Sequence, residues 1–209
     1  MQLSRAHHPV LSLGYGTRAG IWTQGCSIHC RGCVAQDTWE RRPDADVPVE
    51  EILRWLSTHP DVDGVTISGG EPLEQAEELV LLLQGIRSMF GPSVDILAYS
   101  GRSWRTVSRH HREALALLDA IVTGPFRLDR PTHHPLMGSG NQELVVLSDL
   151  GRQRYGELAE VARRQVQATV VDGWLHLVGI PNEGDLAAFE AAAASRGLGV
   201  VAPTWRADR

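Results

Sequence analysis

The chain has 209 residues, of which 43% are hydrophobic, and a formal net charge of −5 at pH 7. This length and apolar fraction predict one domain with a hydrophobic core and room for a small appendage. The negative charge gives no electrostatic reason to expect a nucleic acid or an anionic membrane as a partner.

Strands and helices are predicted to alternate from the first apolar run onward. Strands are expected at residues 20–24, 64–68, 94–99, 120–122 and 143–147. Helices are expected at residues 49–59, 73–90 and 104–118, and residues 124–142 have the composition of a loop. This alternation predicts a parallel sheet with crossover helices, which carries its sites at the carboxyl ends of the strands.

The pattern changes beyond residue 150. A helix is predicted at 151–166, strands at 166–171 and 174–180, a helix at 184–196 and a last strand at 198–202. Asp172-Gly173 between two β-rich runs indicates a hairpin. We therefore expect a core domain at residues 1–150 and a C-terminal extension at residues 151–209, packed on the core.

Two further features of composition restrict the function. All 20 basic residues are arginine, which we attribute to gene composition, and this excludes a lysine Schiff base or lysine general base. Neither a leader peptide nor a membrane-spanning run is predicted, so we expect a cytoplasmic protein with reduced thiols.

The three cysteines of the chain, Cys26, Cys30 and Cys33, follow the first predicted strand with the spacing C-x3-C-x2-C. Thiolates select zinc, copper(I) or iron–sulfur clusters. A closed zinc site would need a histidine as fourth ligand, and a catalytic zinc would keep that position open. Candidates for this ligand include His29 and the pairs His7-His8, His110-His111 and His133-His134, which we interpret as surface residues.

Two other interpretations of the cysteines remain. A disulfide would leave one cysteine unpaired in a reducing compartment. A [4Fe–4S] cluster with three cysteine ligands would leave one iron open, and an open iron can bind a chelating substrate.

The cysteine spacing resembles that of radical S-adenosylmethionine (SAM) enzymes. The longer pattern GxRxxxWxQGCSIHCRGCxxxxTW, ending at Trp39, is similar to that of anaerobic ribonucleotide reductase activating enzymes. The same is true of four later motifs: ISGGEPLEQ at residues 67–75, AYSG at 98–101, TGPF at 123–126 and GSGNQ at 138–142. These motifs span roughly residues 14–147 in the order of the family.

The resemblance implies a fold and a chemistry. The fold would be a partial (β/α)6-type parallel barrel with a small C-terminal α+β extension. One [4Fe–4S] cluster on Cys26, Cys30 and Cys33 would bind SAM at its open iron. Reductive cleavage would then give a 5′-deoxyadenosyl radical for hydrogen abstraction, with no catalytic residues beyond the cluster ligands.

The resemblance also implies partners. With cysteines for one cluster only, an external low-potential reductant, a flavodoxin or a ferredoxin, is expected. The substrate would be a glycyl-radical protein that this chain activates, or alternatively a small molecule or peptide. A non-catalytic iron–sulfur or zinc-binding module is the hypothesis from another class.

Seven residues are candidate SAM contacts by their place in the motifs: Ser68, Gly69, Gly70, Glu71, Ser100, Thr123 and Asn141. Glu71 either accepts from the SAM amine or begins the next helix. Ser100, Thr123 and Asn141 are equally well explained as turn or capping residues. Arg18 and Gln24 are expected to brace the strand and the loop.

The chain departs from the family pattern in three places. Leu13-Gly14-Tyr15-Gly16 stands where the activating enzymes have Asp-Gly-Pro-Gly, and Pro125 stands where they can carry a lysine. The compact activating enzymes also end near the position of Leu147. The residues after it are predicted to complete the barrel, cover a substrate or bind a carrier.

Overall fold

The centre of the molecule is a six-stranded sheet whose strands lie in the same order in space as along the chain. This computed structural model describes residues 1–156, 166–171 and 173–206. The strands of the sheet are β1 Leu3–Val10, β2 Arg18–Thr23, β3 Gly64–Gly69, β4 Asp95–Ser100, β5 Ala120–Thr123 and β6 Glu143–Val146. Strands β2 to β5 are parallel, and β1 and β6 pair antiparallel at the two edges. Among the described residues the two edge strands do not pair with each other, so the sheet is not closed into a barrel.

The five predicted strands are confirmed, but both edges of the sheet differ from the prediction. Strand β1 was not predicted, because its sequence LSRAHHPV is polar and contains a proline, as edge strands often do. Strand β6 is antiparallel rather than parallel. A parallel return requires a crossover connection, and residues 124–142 between β5 and β6 contain no helix to supply one.

One face of the sheet is covered by helices α1 Val49–Ser57, α2 Ala76–Phe90, α3 Trp104–His110 and α4 Arg112–Leu115. Helix α2 buries Leu79, Leu82, Leu83 and Ile86, whose spacing places them on one side of the helix. These side chains pack on Ile21, Ile67 and Ile96 of the sheet. Each such side chain contributes about 1.5–3 kcal/mol by burial. The helix predicted at residues 104–118 is interrupted at His111, which separates α3 from α4.

The opposite face of the sheet contains a buried ion pair. The Arg18 guanidinium donates to both carboxylate oxygens of Asp95, each at 2.9 Å, and both side chains are fully buried. Arg18 also donates to Thr66 Oγ1 at 2.6 Å. Burial alone would raise the pKa of Asp95, but the charge of Arg18 and the hydrogen bonds from Arg18 and Tyr155 hold it below its usual value. The prediction that Arg18 braces the strands is confirmed.

The residues after β6, most of which belong to the predicted extension, contain α5 Asp149–Tyr155, the hairpin β7 Val166–Val171 with β8 Trp174–Gly179, and α6 Asp185–Ala194. The predicted hairpin and last helix are confirmed. The helix predicted at 151–166 is observed as far as Tyr155, and its remainder at 157–165 lies outside the described residues. The strand predicted at 198–202 is wrong, because this segment pairs with none of the described strands.

The extension contacts the face of the sheet opposite α1 to α4. Val178 of β8 is buried against Val10 and Leu13, and the Ser12 hydroxyl donates to the Val178 carbonyl at 2.9 Å. Helix α5 contributes Tyr155, whose hydroxyl donates to Asp95. In the part of the chain that the structure describes, no helix combines the length and apolar character needed to cross a membrane.

Candidate metal centre

The three cysteines lie in a loop that begins where β2 ends, at the edge formed by the carboxyl ends of the parallel strands. Two backbone hydrogen bonds close this loop on itself. The Gly25 N–H donates to the Thr38 carbonyl at 2.7 Å, and the Cys26 N–H donates to the Trp39 carbonyl at 2.8 Å. The buried Gln24 amide donates to two carbonyls of the same returning segment, so Gln24 braces the loop as predicted.

The thiols of Cys26, Cys30 and Cys33 are free and partly buried. Burial raises the pKa of each thiol above its usual value, while nearby N–H groups act in the opposite direction. For Cys26 the donors are the backbone N–H groups of Ile28 and His29, and for Cys30 the donor is the backbone N–H of Phe126. For Cys33 the donors are the backbone N–H of Ala35 and the indole N–H of Trp39.

This donor set fits an iron–sulfur cluster. Three soft thiolates are presented on one loop, and each faces at least one N–H donor, as the sulfur ligands of such clusters commonly do. Metal binding would displace the thiol protons, and the N–H groups would then stabilise the ligated sulfurs. Cys26, Cys30 and Cys33 are therefore the residues that could hold the cluster.

His29 was the histidine within the loop considered as a further ligand. Its side chain is exposed, and its ring stacks on Trp39 with centroids 4.6 Å apart and planes inclined by 14°. Across the described ranges, no group of three or more His, Cys, Asp or Glu side chains is arranged to hold one metal ion.

Glu71 joins two of the sequence motifs. It is fully buried, and its carboxylate accepts from the backbone N–H groups of Leu73 at 3.0 Å and Gly101 at 2.8 Å. The Ser100 hydroxyl donates to both of its oxygens, at 3.0 and 3.1 Å. Glu71 thus caps the turn that leads into α2, one of its two predicted roles, and ties the end of β3 to the end of β4.

Gly69 and Gly70 allow β3 to approach the cysteine loop. A Cβ on Gly70 would lie 2.2 Å from the Gly25 carbonyl oxygen, and one on Gly69 would lie 2.3 Å from the Thr23 nitrogen. The Gly70 N–H donates to Thr23 and the Glu71 N–H to Gly25, both at 2.8 Å. These glycines are therefore required by close packing between backbones.

The other predicted SAM contacts lie at the same edge of the sheet. Ser68 is partly buried near the end of β3, and Thr123 is buried beside Ser100 in the register of β4 and β5. Asn141 Nδ2 donates to the Pro125 carbonyl at 2.8 Å, while its Oδ1 is buried without a partner in the part of the chain that the structure describes. The structure joins Glu71 directly to Ser100, and it links Asn141 to the loop after Thr123.

Sequence reasoning did not assign four residues that shape this site. Glu74 accepts from the Ser27 N–H at 3.0 Å and pairs with Arg102 at 3.5 Å. Phe126 and Trp39 supply N–H donors to the cysteines. Thr204 binds the segment after Cys33. Glu74, Phe126 and Trp39 lie within the quoted motifs and could have been examined there, whereas no local pattern marks Thr204.

Comparisons with known proteins agree with this arrangement. Residues 12–145 match the family model described as "4Fe-4S single cluster domain". The chain is also 31% identical over 149 residues to the pyruvate formate-lyase-activating enzymes of Staphylococcus aureus strains USA300 and NCTC 8325. Each match includes 66% of this chain and 59% of the relative, so the chain spans less than two thirds of the length of these relatives.

Proposed function

The chain belongs to the 4Fe-4S single cluster domain family, and from this membership we propose that it is a radical SAM enzyme of the activating type. The observation that carries the proposal is the cysteine loop. It presents three partly buried thiols with N–H donors at the carboxyl edge of a parallel sheet, within the residues that match the family. The similarity to pyruvate formate-lyase-activating enzymes supports the same assignment.

In this proposal Cys26, Cys30 and Cys33 hold a [4Fe–4S] cluster, and SAM binds at the open iron. When bound, these groups would supply one-electron reductive cleavage of SAM into methionine and a 5′-deoxyadenosyl radical for hydrogen abstraction. The protein positions the cluster through the closed loop backbone and the N–H donors. It also keeps the neighbouring strand ends in register through Glu71 and Ser100.

The proposed SAM contacts remain Ser68, Gly69, Gly70, Glu71, Ser100, Thr123 and Asn141. The contacts within the protein give Asn141 the most specific role among them. Its buried Oδ1 has no partner among the described residues, and an unpaired buried acceptor costs about 1–3 kcal/mol. We assign this oxygen to a hydrogen-bond donor of SAM, such as a ribose hydroxyl.

The remaining predictions follow as parts of the same proposal. The sheet forms an incomplete barrel whose parallel part is β2 to β5, residues 1–150 are the SAM-binding core, and residues 151–209 form the extension. The partner is a glycyl-radical protein, for which pyruvate formate-lyase, named in the relatives, is the first candidate. An external flavodoxin or ferredoxin supplies the electron.

One observation favours a second candidate, direct action on a small molecule or peptide. The hairpin of the extension packs on the face of the sheet opposite α1 to α4, with Val178 buried against Val10 and Leu13. An element placed there could select a substrate other than a large protein. A non-catalytic cluster-binding module is the outcome that would exclude both versions.

The test is anaerobic reconstitution followed by reduction in the presence of SAM. We expect the wild-type chain to develop iron–sulfur absorbance and to release 5′-deoxyadenosine and methionine. Cys30→Ala should lose the absorbance and the cleavage together. A reconstituted wild-type cluster that leaves SAM intact would refute the enzymatic proposal, and retention of both signals by Cys30→Ala would refute the ligand assignment.

The partner is tested separately. Incubation of the active enzyme with pyruvate formate-lyase or another glycyl-radical protein should produce a protein radical signal by electron paramagnetic resonance. Sustained SAM cleavage without such a signal would favour the small-molecule or peptide substrate.

A further inference from the structure

The last described segment of the chain contacts the cysteine loop directly. The Thr204 hydroxyl donates to the Val34 carbonyl at 2.7 Å, and the Gln36 N–H donates to the Thr204 carbonyl at 3.2 Å. Val34 and Gln36 follow closely after Cys33, the third proposed ligand. The two hydrogen bonds therefore bracket Ala35.

The Ala35 N–H acts as a hydrogen-bond donor that lowers the pKa of the Cys33 thiol, against the larger effect of burial, which raises it. The Val34 carbonyl and the Ala35 N–H belong to the same planar peptide unit and point in opposite directions. When Thr204 holds the carbonyl oxygen, it also fixes the direction of the N–H toward the sulfur. A hydrogen bond to the carbonyl additionally polarises the peptide unit and strengthens its N–H as a donor.

Thr204 is itself anchored. The neighbouring Trp205 indole donates to Glu190 of α6 at 2.9 Å, and Arg206 forms an ion pair with the same carboxylate. The contact on the cysteine loop is thus supported by a helix of the extension.

We propose that Thr204 is a positioning residue that orients the Val34–Ala35 peptide unit and so tunes the reduction potential of the cluster through Cys33. This inference rests on the proposed cluster. The positive end of an N–H dipole stabilises the added electron, so hydrogen bonds to the sulfur ligands raise the reduction potential. Weakening the Ala35 donor makes the cluster harder to reduce.

The experiment compares the full-length wild type with Thr204→Val and Thr204→Ser, each reconstituted anaerobically. The midpoint potential is measured by redox titration followed by electron paramagnetic resonance, without SAM. We expect a more negative potential in Thr204→Val, which lacks the hydroxyl, and a wild-type potential in Thr204→Ser, which keeps it.

Thr58→Val is the matched control. Thr58 makes the same type of bond, from its hydroxyl to the Trp55 carbonyl at 2.7 Å, at the end of α1. The control should keep the wild-type potential. An unchanged potential in Thr204→Val, or an equal shift in Thr58→Val, would overturn the inference.

A second variant keeps the inference testable if Thr204→Val fails to hold the cluster. Trp205→Phe leaves Thr204 in place but removes the indole bond to Glu190, and it should shift the potential in the same direction by a smaller amount. An unchanged potential in Trp205→Phe, when Thr204→Val holds no cluster, also counts against the inference. A wild-type cluster that does not cleave SAM would instead refute the proposed function, while the comparison of potentials would remain valid.

Discussion

The cysteine loop and the C-terminal extension are held to the core in different ways. The loop is fixed by backbone groups that meet other backbone groups, such as the Gly25 N–H on Thr38 and the Glu71 N–H on Gly25. The extension is attached mainly by side chains, including Tyr155 on Asp95 and Val178 on Val10, with one backbone bond from the Gln36 N–H to the Thr204 carbonyl. Close backbone contacts leave room only for particular residues, which is why the loop carries a recognisable motif and the extension does not.

The largest loss of folding stability is expected from a substitution of Asp95, which bonds to the first helix of the extension. Asp95 accepts from Arg18 in the sheet and from Arg154 and Tyr155 of α5. Asp95→Asn removes the charge that compensates the buried Arg18. Breaking a buried pair from one side costs about 3–5 kcal/mol. Denaturant unfolding of the cluster-free protein at neutral pH measures this loss.

The pH dependence of the same variant tests the cause. The pKa of Asp95 is lowered in the folded state, so its ionised form stabilises the protein above the unfolded-state pKa of about 4, and this stabilisation is lost as the pH falls through the folded-state pKa. The free energy of unfolding of Asp95→Asn should therefore fall less than that of the wild type when the pH is lowered through this range. Asp129→Asn, at an exposed ion pair, should remain close to wild type. Equal stability losses in the two variants would contradict the assigned role of the buried pair.

The next largest effect should occur at the cysteine loop. Gly70→Ala places a Cβ 2.2 Å from the Gly25 carbonyl oxygen, and backbone atoms cannot move aside as a flexible side chain can. We expect a stability loss of about 3 kcal/mol and a lower iron content after reconstitution. Gly199→Ala is the matched control, because its Cβ would meet no atom within 4 Å. Full cluster assembly in Gly70→Ala would show that the loop tolerates displacement from β3.

The contrast between the two regions also explains which features of the fold and the candidate site could be predicted from the sequence. The strand ends at residues 64–70 and 94–101 were predictable because glycines and apolar runs mark them locally. The three cysteines could be recognised as candidate ligands because their spacing is a local pattern. The capping role of Glu71, one of the two roles predicted for it, could also be predicted locally, because the Leu73 N–H that it accepts from is only two residues away in the chain.

The contacts that escaped prediction connect distant parts of the chain. Asp95 and Arg18 are separated by 77 positions, and Thr204 and Val34 by 170. Local periodicity carries no information about such pairs. Strand β1 was missed for another reason: its polar residues and proline suit an edge strand as well as a loop, so its strand character depends on pairing with β2.

The smallest effect is expected from the hairpin of the extension. Val178→Ala removes apolar contacts with Val10 and Leu13, at a cost of about 1–2 kcal/mol. Because the hairpin is attached by side chains, this loss should appear as faster hydrogen exchange in β8, with an unchanged cluster spectrum. Val170→Ala, on the exposed side of the same hairpin, should change neither measurement, since Val170 is 68% exposed. A shift in cluster potential in Val178→Ala would show that the hairpin and the cysteine loop are coupled, which the separate contacts of Val178 and Thr204 argue against.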